Sequence, residues 1–202
     1  MKRLLLVLLF LLSGCGGGGT PPVSAPPMPA TTPMAVPVFL RVTTGSGGSL
    51  LAVVQRNGTT TITSALGGAK VTIAENGGRY TRRGRTLTVA KTYGDGVKLK
   101  SAAGRTLWRA KISSGRVQIR RGEANLRYEF KRAGDDRIKV KRGSTEIGDV
   151  RAIEQGSRLD LADGTTLGLS SSPPGNGLAV LLCREIPPDL RAVLAAAVLA
   201  RE

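Results

Sequence analysis

The stretch Ile138-Lys139-Val140-Lys141 alternates apolar and basic residues, and this alternation decides the fold. Successive side chains of a β-strand point to opposite faces, so the stretch presents one apolar face and one charged face. The same pattern recurs along the chain at Val71/Ile73, Leu87/Val89, Val97/Leu99, Val117/Ile119, Leu126/Tyr128/Phe130 and Leu159/Leu161. It predicts half-buried β-strands from about residue 36 onward.

Short turn sequences separate these stretches, for example Asn57-Gly58, Gly94-Asp95-Gly96 and Asp163-Gly164. Their residues tolerate a positive φ and favour tight hairpins. We therefore predict an all-β domain, in which ten or more strands form an antiparallel meander closed as a barrel or packed as a sandwich. Ile147 and Val150 fall out of phase, which predicts a β-bulge near Gly148.

The last stretch of the chain breaks the β pattern. Residues 188–201 begin with proline and are rich in alanine and leucine, which predicts a C-terminal helix. Apolar residues cover nearly its whole circumference. A helix of that kind is buried, so we expect it to cap or to thread the β-structure.

A many-stranded meander followed by an apolar C-terminal helix resembles the tubby and phospholipid-scramblase group. Residues 97–108 and 146–151 are of the strand-turn-strand kind found there, and the resemblance covers roughly residues 36–202. It implies a barrel that encloses the C-terminal helix. It implies neither lipid scrambling nor phosphoinositide binding, because no acidic metal-loop cluster of that group is present.

The first fifteen residues have the order of a secretion signal. Lys2 and Arg3 precede an apolar run from Leu4 to Leu12, and small residues follow. The run has less than half of the about 20 residues that a transmembrane helix needs. A core helix is disfavoured by the glycines that follow it, and an ordinary cleaved signal would not need Cys15.

The sequence Leu12-Ser13-Gly14-Cys15 resembles the lipobox of bacterial lipoproteins. The resemblance implies a signal peptide over residues 1–14 and lipidation of Cys15, which becomes the first residue of the mature protein. Gly16 resembles the residue found in lipoproteins of the outer membrane, facing the periplasm or exposed on the surface. We accordingly expect a membrane partner through the lipid anchor, a Gly/Pro-rich tether over residues 15–35, and a single β domain over residues 36–202.

The composition excludes several kinds of chemistry. The chain has no histidine and only two cysteines, so Ser-His-Asp and Cys-His catalysis and the usual zinc or copper sites are ruled out. Cys183 lies in an apolar run and is predicted to be a buried core residue. The carboxylate pairs Asp135/Asp136 and Asp160/Asp163 lie at turns. We predict no catalytic residue, no metal and no cofactor, with a hydrolase kept as an alternative.

The strongest functional signal is positive charge. The chain has a net charge of +16, and residues 79–142 contain 20 Lys and Arg against 5 acids. Because of the alternation, many basic side chains point away from the apolar face. The candidate anion-binding residues are Lys98, Lys100, Arg109, Lys111, Arg116, Arg120, Arg127, Lys131, Lys139 and Lys141.

These residues predict a non-catalytic envelope lipoprotein that binds anionic lipid, lipopolysaccharide or glycan. A solvated face enriched in arginine by a GC-rich genome is the plain alternative. A scaffold or assembly module for another envelope protein, whose partner the sequence does not identify, is the second functional hypothesis. Nucleic acid is disfavoured because stacking aromatics are few, and Trp108 shares the inward phase of Ala110 and Ile112.

Overall fold

The computed structural model describes residues 38–122 and 126–202. The predicted signal peptide, Cys15 and the tether lie outside the described residues. The strands are β1 (Val38–Thr43), β2 (Ser49–Arg56), β3 (Thr59–Ser64), β4 (Val71–Asn76), β5 (Arg79–Arg82), β6 (Arg85–Tyr93), β7 (Gly96–Lys100), β8 (Thr106–Ser113), β9 (Arg116–Arg121), β10 (Leu126–Arg132), β11 (Arg137–Arg142), β12 (Thr145–Ile153), β13 (Gly156–Leu161) and β14 (Thr166–Ser170). Helix α1 (Asn176–Ala179) continues as a 3₁₀ turn (Val180–Leu182), and helix α2 spans Pro188–Leu199.

The fourteen strands form a closed antiparallel barrel. Each strand pairs with the next along the chain, and β1 also pairs with β14. The closing pair is short, with Val42 opposite Ser170 and Thr43 opposite Leu169. The predicted antiparallel all-β class is confirmed, and of the two arrangements considered the domain adopts the barrel.

The predicted alternation fills the barrel interior. Ile138 and Val140 of β11 are buried, and so are Trp108 and Ala110 of β8, as expected from their phase. The bulge predicted near Gly148 is also confirmed. Val140 lies opposite Gly148 while the next residue, Lys141, lies opposite Glu146, so one residue of β12 is left over.

The predicted inward phase of β6 is wrong. Thr88 is fully buried, whereas Leu87 and Val89 on either side are half-buried. Tyr80 of β5 lies opposite Thr88, but the next residue, Thr81, lies opposite Thr86, so the pairing of β5 with β6 shifts register here. Because of this shift, the residues of β6 that face inward differ from those that its alternation predicts. The hydroxyl of Thr88 remains satisfied inside the barrel because it donates to the carbonyl oxygen of Lys100 at 2.7 Å.

Helix α2 threads the barrel. At its start, Asp189 pairs with Arg82 of β5 at 2.5 Å. Just beyond its end, Arg201 donates to the carbonyl of Gly94 in the β6–β7 turn at 3.3 Å. Since β6 runs the length of the barrel between these two contacts, α2 runs from one end of the barrel to the other. The barrel end at which β1 begins also carries the β6–β7 turn, and we call it the β1 end.

The rest of the C-terminal segment completes a helical hairpin inside the barrel. Leu178, Leu181 and Cys183, in and just after α1 and the 3₁₀ turn, are buried, as are Val193 and Leu194 of α2. The burial predicted for Cys183 is therefore confirmed. Within the described ranges, no helix combines the length and apolar character needed to cross a membrane.

Candidate anion-binding site

Four basic residues lie side by side on the outer wall of the barrel. The strand register places Lys91 of β6 opposite Lys98 of β7. Lys98 in turn lies opposite Arg109 of β8, and Arg109 lies opposite Arg120 of β9. Directly opposed residues on antiparallel strands have Cα atoms about 4.5–5.5 Å apart. We call this row of Lys91, Lys98, Arg109 and Arg120 the basic ladder.

Three of the four ladder residues carry charge that the described acids do not neutralise. Lys91, Lys98 and Arg120 form no ion pair with any residue in the ranges 38–122 and 126–202. Like charges opposed across a sheet repel one another, so a row of this kind favours an anionic counterpart.

Tyr93 lies beside the basic ladder, two residues from Lys91 along β6 in the direction of the β1 end. Its side chain is 64% exposed, and the ammonium of Lys98 lies 3.8 Å from the centre of its ring. A cation over the face of an aromatic ring is stabilised by the ring's negative face, which gives both side chains a preferred position. The ladder is therefore flanked by an aromatic side chain that is exposed to solvent.

A groove of about 530 Å³ runs along this surface. Its side chains include Tyr93, three members of the basic ladder, and the neighbouring Lys111 and Gln118. Asp95, in the β6–β7 turn at the β1 end of the barrel, also lines the groove. The groove thus combines several cations with a neutral amide, one carboxylate and one aromatic ring.

The β6–β7 turn that carries Tyr93 is held by backbone contacts. A Cβ atom on Gly96 would lie 2.1 Å from the carbonyl oxygen of Ala110, so only glycine allows β7 to approach β8 this closely. The amide of Ile112 donates to the carbonyl of Asp95 at 3.0 Å, and Arg201 binds the carbonyl of Gly94. These contacts fix the floor and one wall of the groove.

The ten predicted residues do not form one uniform surface. Lys98, Arg109, Lys111 and Arg120 come together in the groove. Arg116 and Lys131 instead pair with the largely buried Glu129, and Lys139 pairs with Glu146 at 3.4 Å. The remaining three, Lys100, Arg127 and Lys141, lie outside the groove on β7, β10 and β11.

Lys91 belongs to the basic ladder although it is absent from the sequence-based set. The sequence of the β6–β7 hairpin does indicate where Lys91 lies. Because Gly94-Asp95 forms a two-residue turn, Tyr93 pairs with Gly96, and the same register places Lys91 opposite Lys98.

A second charged region, on β11–β13, is neutralised internally. Asp149 is 3% exposed and accepts hydrogen bonds from Arg137 Nε at 2.8 Å and Arg151 Nε at 2.9 Å. Burial alone would raise the pKa of Asp149, but the hydrogen bonds from Arg151 and Arg137 outweigh it and hold the pKa below its usual range. Arg158 similarly binds Asp160 at 2.8 Å. Arg137, Arg151 and Arg158 have acidic partners, and in this they differ from Arg120 of the basic ladder.

The structure gives contacts for Asp160 and Asp163 and burial for Cys183, three groups that the sequence analysis considered. Asp160 accepts hydrogen bonds from Arg158 and Thr166, and Asp163 accepts one from the amide of Thr165 at 2.8 Å. Burial raises the pKa of the Cys183 thiol well above its ordinary value, which disfavours the reactive thiolate.

The fold and the groove define a closed β-barrel, threaded by a helical hairpin, with a basic outer surface. No family model matches the chain, and no curated protein matches it. A solved X-ray structure of a protein from Arabidopsis thaliana is similar over 73% of this chain and 91% of that chain. The two share 15% sequence identity with a TM-score of 0.37, a similarity too low to support any statement about site or function.

Proposed function

We propose that this protein is a non-catalytic, lipid-anchored envelope protein whose basic ladder binds a phosphate-rich membrane surface. The observation that carries the proposal is the row of four opposed basic residues, of which Lys91, Lys98 and Arg120 have no acidic partner among the described residues. Arginine and lysine both suit phosphate, and arginine binds it through two parallel hydrogen bonds.

The magnitude of the attraction explains why an anchor is needed. Each basic residue close to an anionic membrane surface contributes about 1 kcal/mol. Lys91, Lys98 and Arg120 together therefore supply about 3 kcal/mol, equivalent to a dissociation constant in the millimolar range. A lipid anchor on the same chain would keep the ladder close to the membrane and so raise its effective concentration there. Anchor and ladder together would hold the domain at the surface, whereas the ladder alone would bind weakly and reversibly.

The position of the chain entry fits this arrangement. Val38, where the described domain begins, lies at the β1 end of the barrel, as does the β6–β7 turn with Tyr93. An anchor that precedes Val38 in the chain would therefore be joined to the domain at the same end as Tyr93.

The ladder is tested by vesicle flotation of the mature chain from residue 15 onward carrying Cys15→Ser, which lacks both the apolar signal segment and the lipidation site. We expect binding to vesicles of phosphatidylglycerol and phosphatidylcholine, no binding to phosphatidylcholine alone, and weakening by salt. The double variant Lys98→Gln/Arg120→Gln should lose about tenfold or more in affinity, since each residue contributes about 1 kcal/mol.

The matched control is Arg116→Gln/Lys131→Gln, which removes the same charge from residues already paired with Glu129. It should bind within about twofold of the parent protein if location matters. Equal losses in both double variants would show that only net charge matters and would reject the ladder. Absent or salt-independent binding would reject the whole proposal.

The anchor is tested separately by expressing the unaltered chain in a Gram-negative host. We expect the membrane fraction to contain a protein that begins at Cys15 and carries acyl chains, as mass spectrometry of the intact protein would show. A protein that keeps Met1, carries no acyl chain and stays in the cytosolic fraction would refute the anchor.

A further inference from the structure

We infer that the groove beside Tyr93 is a binding site for a phosphorylated sugar. The inference deepens the proposed function, on which it rests, by naming the ligand class of the same surface. It begins from Tyr93, which is 64% exposed while Tyr80 and Tyr128 are 6% and 1% exposed. Among the three tyrosines, which all lie in the described ranges, Tyr93 is the one whose ring a ligand can reach from solvent.

The ring offers the surface on which a sugar packs. Lys98 occupies one face of Tyr93 at 3.8 Å, and the high exposure of the side chain leaves the other face to solvent. The C–H groups on one side of a pyranose ring carry partial positive charge and pack against the negative face of an aromatic ring. Inorganic phosphate makes no such contact, so Tyr93 distinguishes a sugar phosphate from phosphate alone.

The other groove residues complement the two parts of such a ligand. The guanidinium of Arg120 and the ammonium groups of Lys98 and Lys111 suit the phosphate. The amide of Gln118 can both donate to and accept from sugar hydroxyls. The volume of about 530 Å³ lies within the range of small-ligand sites.

Asp95 favours a sugar over a nucleotide. Asp95 lines the groove and lies in the β6–β7 turn, two residues from Tyr93. A sugar hydroxyl can donate a hydrogen bond to the Asp95 carboxylate, whereas a flat base stacked on Tyr93 brings fewer donors to it. A carboxylate close to the ring also repels a second phosphate, which disfavours polyphosphates. The single phosphate would lie toward Arg120, away from Asp95.

The site is already formed without a ligand. Gly96 sets the close approach of β7 to β8, and the carbonyls of Gly94 and Asp95 are both hydrogen-bonded to the body of the barrel. A fixed turn lowers the entropic cost of binding, so a small ligand can bind measurably with few contacts.

The experiment compares four probes on the full chain carrying Cys15→Ser: inorganic phosphate, glucose, glucose 1-phosphate and uridine monophosphate. Affinities are read from NMR shifts of the backbone amides of the β6–β7 turn. We expect glucose 1-phosphate to bind about fivefold to tenfold tighter than phosphate, the effect of one aromatic contact and a few hydroxyl contacts. Glucose alone should produce no saturable shift.

The variant Tyr93→Ala should bring the affinity ratio of glucose 1-phosphate to phosphate close to one, and Tyr93→Phe should preserve it. An unchanged ratio in Tyr93→Ala, or equal binding of both probes to the parent protein, would overturn the inference. Tighter binding of uridine monophosphate than of glucose 1-phosphate would also overturn it, in favour of a nucleotide.

The two proposals fail in different ways. If the parent protein binds anionic vesicles but shows no preference for the sugar phosphate, the sugar site is refuted and the membrane-binding proposal stands. If the parent protein binds neither vesicles nor any phosphate-bearing probe, both are refuted.

Discussion

Replacing Asp149 with asparagine tests whether the charges of β11–β13 are neutralised internally. Asp149→Asn keeps the size of the side chain but removes the charge that Arg137 and Arg151 share. A hydrogen bond to a charged group contributes about 1.5–3 kcal/mol, and breaking a buried ion pair costs about 3–5 kcal/mol. The Asp149 carboxylate is buried, but the arginines are partly exposed to solvent, which reduces the effect. We expect a loss of about 3 kcal/mol in the free energy of unfolding.

The assay is urea unfolding followed by the fluorescence of Trp108, the single tryptophan of the chain, which is 4% exposed. The free energy of unfolding falls by about 1–3 kcal/mol per molar urea, so a loss of about 3 kcal/mol lowers the urea concentration at the unfolding midpoint by about 1–3 M. The control is Asp135→Asn, an exposed carboxylate in the β10–β11 turn, which should change the free energy by less than about 0.5 kcal/mol.

The effect should depend on pH in a defined direction. The pKa of Asp149 is lower in the folded protein than in the unfolded chain. Its contribution to stability is therefore fully present above the unfolded pKa of about 4 and is lost as the pH falls through the folded pKa. The parent protein and Asp149→Asn should differ at neutral pH and converge in acid. A difference below about 0.5 kcal/mol at neutral pH, or one that persists unchanged in acid, would refute the reasoning.

Two further predictions concern the barrel itself. Gly96→Ala should lower the free energy of unfolding by about 2 kcal/mol or more, because the new Cβ would overlap the carbonyl oxygen of Ala110. The control is Gly45→Ala, whose Cβ would meet nothing within 4 Å and which should be nearly neutral in the same urea assay. Equal stability of both variants would contradict the close approach of β7 and β8. In the Cys15→Ser chain, the thiol of Cys183 should resist a water-soluble thiol reagent until urea unfolds the barrel, since it is buried and its pKa is raised. Rapid labelling of the folded protein would contradict its position in the core.

The strand alternation predicted most of the wall but not its irregularities. Ile138 and Val140 face inward as expected, because an uninterrupted strand keeps a period of two. Leu87 and Val89 show the same alternation of apolar and polar residues, yet Thr88 between them is the residue that is buried. A register shift in the pairing with β5 changes the phase, and no residue within β6 signals it.

The candidate site could be predicted only in part for a related reason. Lys91 and Lys98 share a hairpin with a two-residue turn, so their pairing follows from the local sequence. The pairing of Arg116 with Glu129 does not, because β10 meets β9 with a register shift after Leu126. Which basic residues keep an uncompensated charge depends on such pairings between strands. The structure was therefore needed to show that Arg116, Lys131 and Lys139, among the ten predicted residues, form ion pairs outside the groove.

The helical hairpin inside the barrel has a consequence for how the chain matures. The wall ends at Ser170, but α1 and α2 follow it, so a nascent chain that stops at residue 170 would surround a void. Joining β1 to β14 also brings together residues 126 positions apart, a closure that is slow because of its loop entropy. Stable folding must therefore wait until α2 has been synthesised. Before that point the strands have no helix against which to bury their apolar faces.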